Sequence, residues 1–148
     1  MPSLEPYFDD DAQPLPNRFL RWIEVLRQKF QLIAPLSGLG VWRYRTATAA
    51  TPAAGHMQFD NVVIASATEM YVNVTTDGGT DISVILATIV SGDLLYVQVR
   101  DNADQFITIA TGVPALAAGV YTFPITAIVG QGTTGGVKNN TSVIIVTG

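Results

Sequence analysis

The chain has no cysteine. That excludes disulfides, thiolate nucleophiles and thiolate-ligated metals, and no redox compartment follows from the composition. Histidine occurs once, as His56. One histidine without cysteines cannot complete a tetrahedral zinc set. A serine–histidine–acid triad would have to recruit His56, and no Gly-x-Ser-x-Gly elbow accompanies it. Charge is scarce as well: Asp, Glu, Lys and Arg make up 14% of the 148 residues, where soluble domains carry about 25%. The net charge of −4 argues against a nucleic-acid partner. No apolar run approaches the roughly 20 residues that span a bilayer, so no membrane partner is expected. The first residues are acids and prolines, not a basic start with an apolar run, so no signal peptide is expected.

Hydrophobic residues, by contrast, reach 48%. A chain this apolar and this poorly charged is either a β-domain with a large core or a subunit that buries surface against copies and partners. Its bases are unevenly placed. Arg18, Arg21, Arg27 and Lys29 share one segment, Arg43 and Arg45 follow, and only Arg100 and Lys138 lie beyond.

Three parts follow from the order of residues. Residues 1–16 contain four prolines and the acidic run Asp9-Asp10-Asp11, a composition that blocks helix and ladder alike. Leu4, Tyr7, Phe8 and Leu15 are spaced apolar anchors. The segment is either a free tail or an extended peptide that docks on another protein. Residues 17–34 predict an amphipathic helix, capped by Asn17 and stopped before Pro35. Phe19, Ile23, Leu26, Phe30 and Ile33 recur at spacings of 4, 3, 4 and 3, the pattern of a self-association seam. A lone helix laid on the β-domain remains the other reading of that stripe. Pro35, Gly38 and Gly40 make residues 35–40 a hinge.

Residues 41–148 predict an antiparallel β-sandwich or jelly-roll-like domain of seven or eight short strands. Strands are expected over Val41–Thr48, Met57–Phe59, Val62–Ile64, Met70–Val74, Tyr121–Val129 and Ser142–Val146. Leu94–Arg100 and Phe106–Thr111 read as a hairpin. Pro124 marks an edge or a bulge. Residues 80–91 favour a short helix with Ile82, Ile85, Leu86 and Ile89 on one face, a buried strand being the alternative.

Catalytic and metal-binding kits are missing. Asp77, Asp81, Asp93, Asp101 and Asp104 all fall at turns or caps, where aspartate bonds its own backbone. The glycine-rich run Gly130–Gly136 lacks the Lys-Ser/Thr of a phosphate loop. No enzyme activity, no metal and no cofactor is expected. Trp42, Tyr44, Tyr71 and Tyr96 would stack on a glycan if they shared an exposed face, but their alternation fits core packing better.

Several stretches in sequence carry a resemblance. They are Trp42-Arg43-Tyr44-Arg45-Thr46 with Thr51-Pro52-Ala53-Ala54-Gly55, then Gly79-Thr80-Asp81, then Leu86 to Gln98 around Ser91-Gly92-Asp93, and Tyr121-Thr122-Phe123-Pro124-Ile125-Thr126. Over roughly residues 40–148 the chain resembles β-rich modules of small fibre, decoration and tail-attachment proteins of tailed bacteriophages. The resemblance implies a non-catalytic virion protein, assembled in the host cytoplasm and often a homotrimer. Its N-terminus would anchor it to a capsid or tail protein. It also allows a host-surface receptor- or glycan-binding role.

Overall fold

The computed structural model describes residues 39–148. The expected docking anchors Leu4, Tyr7, Phe8 and Leu15 lie outside the described residues. So do the amphipathic helix and its seam, Phe19, Ile23, Leu26, Phe30 and Ile33.

Eight strands follow one another: β1 (Gly40–Arg45), β2 (His56–Phe59), β3 (Glu69–Asn73), β4 (Leu94–Val99), β5 (Asn102–Thr111), β6 (Ala115–Ala117), β7 (Val120–Gln131) and β8 (Thr141–Thr147). Their hydrogen-bonded order is β3-β2-β1-β8-β4-β5-β7-β6, and β3 also pairs with β7. That last pairing, Glu69↔Pro124 through Asn73↔Val120, closes seven strands into a barrel. The expectation of a sandwich or jelly roll is therefore corrected. Both architectures show the same period-2 strands, and only the β3–β7 closure distinguishes them. Twelve-residue β7 makes the closure feasible. Its first half serves β3 and β6, and its second half serves β5. The register with β5 slips between Ala110 and Thr111, opposite Ala127 and Ile125. Pro124, which cannot donate to a ladder, sits next to that slip, as a bulge-flanking proline should.

All pairs are antiparallel except β1–β2, which run parallel with Arg43 opposite His56. A parallel neighbour needs a crossover, and residues 46–55 provide it. The crossover lies over the outside of the sheet. The Gln58 side-chain amide donates to the Ala49 carbonyl, and Asn73 Nδ2 donates to the Pro52 carbonyl at 2.9 Å. This explains why Gln58 is buried although its neighbours Met57 and Phe59 point inward.

Inside, the alternation is regular. Trp42 and Tyr44, Leu95, Val97 and Val99, Ile107 and Ile109, and Val143 and Ile145 fill the barrel. The connection from β3 to β4 holds a one-turn helix, α1 (Ser83–Leu86), as expected for residues 80–91. Asp81 Oδ1 accepts the Ser83 N–H at 2.8 Å and starts the turn. Ile82, Leu86 and Ile89 join the core, but Ile85 is 42% exposed and leaves the face assigned to it. The expected strand Val62–Ile64 is also replaced, by a 3-10 turn at Ile64–Ser66. Here side chains capture the backbone: Asn61 Oδ1 accepts the Val63 N–H at 2.8 Å, and Asp60 Oδ1 accepts the Thr68 N–H at 2.8 Å. Donors held by local carboxamide and carboxylate groups are not offered to a ladder.

Candidate functional site

The four aromatic residues do not form a stacking face. Trp42 and Tyr44 are 0% and 3% exposed inside the barrel, and Tyr71 is buried on β3. Trp42 Nε1 donates to the Asn73 carbonyl at 2.9 Å, so its polar handle is used internally. Tyr96 alone is half-buried. Its ring stacks on Phe106 at 5.4 Å, and its hydroxyl donates to Gln98 Oε1 at 2.8 Å. The alternative of an aromatic glycan face is not realised: Trp42 and Tyr44 pack in the core, Tyr71 is buried on β3 outside the core cluster, and Tyr96 stacks on Phe106.

Of the five turn carboxylates, Asp81 and Asp93 accept backbone N–H groups, as their positions suggested. Asp93 Oδ2 accepts the Val90 N–H at 2.9 Å. Asp77 pairs with Arg43 at 3.2 Å on the surface, where such a pair contributes little. Hydrogen bonds from Ser83 hold the Asp81 carboxyl below the usual carboxylate range. Asp60 was not singled out from sequence. Burial raises its carboxyl, but the Thr68 hydroxyl and backbone N–H outweigh that and hold it below the usual range. Among the described residues, no three His, Cys, Asp or Glu side chains come together as a metal site. His56 Nδ1 is buried without a hydrogen-bond partner among them. No described helix is long and apolar enough to cross a membrane.

Two surfaces of the described residues stand out. The first is the far half of β7. Between Asp104 and Lys138 no residue is charged, and this stretch forms most of β5 and all of β6 and β7. The β3–β7 ladder ends at Glu69 opposite Pro124, and the Thr68 carbonyl accepts the Ile125 N–H at 2.8 Å. Beyond that, among the described residues, Thr126–Gln131 is paired on one side only, with β5. Ile128 and Val129 on this edge are 37% and 55% exposed. An uncharged, apolar, half-paired strand is the surface that folded proteins ordinarily cover. A segment-by-segment charge count would have located it in the sequence; counting bases alone did not.

The second surface is the mouth of the barrel below β1 and β2. A recess of about 160 Å³ lies between Val62 and Val63 on one side and Gly135 and Gly136 on the other. Tyr44, Ile64, Thr134 and Val137 also line a smaller apolar chamber of about 20 Å³ beneath it.

No protein-family model, curated protein or solved structure matches the chain.

Proposed function

We propose that the chain is a non-enzymatic structural subunit that associates with copies of itself, a short fibre or decoration component of a tailed-phage particle. The observation that carries this reading is the exposed edge Thr126–Gln131, set in a span without a charged residue. Unpaired strand groups in an apolar setting gain most by finding another chain. A second copy fits this edge for an electrostatic reason. The chain is acidic overall, with a net charge of −4, so copies repel wherever their acids meet. An edge without charges avoids that cost. The resemblance of Trp42–Thr46, Leu86–Gln98 and Tyr121–Thr126 to phage fibre and decoration modules supports the particle context. Anchoring by Leu4, Tyr7, Phe8 and Leu15 and a homotrimeric state are part of the same proposal.

The test is the mass of the full chain in solution. Light scattering across micromolar concentrations is expected to give a discrete oligomer. A monomer throughout that range would sink the reading. Antibody labelling of intact particles would then place the subunit on head, neck or tail.

A further inference from the structure

The barrel mouth has a feature that assembly does not use. Tyr44 is 3% exposed, yet its hydroxyl has no hydrogen bond among the described residues. Burial alone pushes that hydroxyl above its ordinary value, with no bonded partner contributing. Nor is the hydroxyl a sealed orphan, because His56 Nδ1 is the one described side-chain atom both fully buried and unpartnered. The Tyr44 oxygen therefore keeps some accessible surface, and the larger of the two openings that Tyr44 lines is the recess. A buried phenol kept open to one side needs a partner there, water or ligand.

The walls state what kind of ligand. Among the described residues, no ionised side chain lines the recess or the chamber beneath it. Val62, Val63, Ile64 and Val137 give the recess an apolar body, while Thr46 and Thr134 add hydroxyls. A charged ligand would leave water and find no counter-charge. The volume, about 160 Å³, suits a six-membered ring, since an engineered apolar cavity of about 150 Å³ takes benzene. Mouths of β-barrels are a common place for such sites. The roof is the glycine-rich run near Gly135, tied down by a Gln105 Nε2 donation to the Gly135 carbonyl at 3.3 Å.

We propose that this mouth binds a small neutral alcohol with an apolar ring or branched alkyl body, its oxygen bonded to the Tyr44 hydroxyl. The site goes beyond the assembly reading and stands or falls separately from it.

Titration of the isotope-labelled full chain by amide NMR tests the site. Cyclohexanol is expected to shift the amides of Thr46, Val63, Gly135 and Gly136 saturably. Cyclohexanecarboxylate, the charged analogue, should bind at least about tenfold more weakly, because no counter-charge meets it. Tyr44→Phe keeps the ring and removes the hydroxyl, and should weaken cyclohexanol by about three- to tenfold. Gly135→Leu should abolish binding: Gly135 lines the recess, and a Cβ there meets nothing within 4 Å. That variant carries the test if Tyr44→Phe fails to fold. Absence of saturable shifts overturns the proposal. So does equal affinity for the carboxylate, tighter binding of methyl glucoside than of cyclohexanol, or full affinity in a folded Tyr44→Phe.

Discussion

Tyr71 shows how one side chain ties the outside of the barrel to its stability. Its hydroxyl donates to Glu69 Oε1 at 2.7 Å, two residues back on β3. Burial first, then that hydrogen bond, then the charges of Glu69 and Asp60 push its hydroxyl up to about 12. The folded value lies above the unfolded value of about 10, so the fold holds the proton more tightly than the unfolded chain does. The resulting stabilisation is complete below about pH 10 and is lost as pH rises through about 12. Urea midpoints at about pH 8 and about pH 11 measure the loss. Tyr71→Phe should lower stability at the first pH and lose less between the two. Equal losses in both proteins would mean that Tyr71 does not carry this dependence. Trp42 teaches a related point. The alternation Trp42-Arg43-Tyr44 was legible as a strand, and core packing was the better reading of its aromatics. The bond from its indole to Asn73 joins residues 31 apart in sequence, and no local pattern announces a contact of that range.

At the scale of elements, the strands and turns were largely legible because they rest on local chemistry. The hairpin of β4 and β5, the proline beside a bulge and the short helix after Asp81 all follow from alternation and turn residues. Val62–Ile64 misled because its β-branched residues suit a strand, while Asp60 and Asn61 bind the backbone that a strand would need. Closure of the barrel was not legible. It depends on β3 meeting β7 across some fifty residues, and strand periodicity is silent about partners. The turn between β6 and β7 offers a test at this scale. Ala118 and Gly119 connect the two strands with φ of 51° and 77°. A two-residue hairpin with both centres at positive φ favours Asn-Gly. Ala118 sits there against its preference, since an alanine in the left-handed region costs about 1 kcal/mol. Ala118→Asn should therefore raise stability by roughly 0.5–1 kcal/mol. Chemical denaturation reads this as a higher midpoint at unchanged slope, and an unchanged midpoint would count against the turn assignment.

For the whole molecule, the question is how many surfaces bring copies together. The sequence offers one in the stripe Phe19, Ile23, Leu26, Phe30 and Ile33, and the barrel offers another in the edge Thr126–Gln131. A helix of about two heptads associates weakly alone, and a six-residue edge is smaller than a standard interface. Each is insufficient by itself, so together they make the assembly reading quantitative. Ile23→Asp with Phe30→Asp removes the first, and Val129→Lys places a charge on the second. Each change should raise the dissociation constant by roughly tenfold or more. If the two surfaces act independently, the effects in free energy add, and the triple variant should be monomeric in light scattering. Intact oligomers after Val129→Lys would remove the edge from the interface. Intact oligomers after the helix changes would remove the seam. The edge carries the stronger physical argument, because its unpaired backbone groups cannot be repacked away as exposed side chains can.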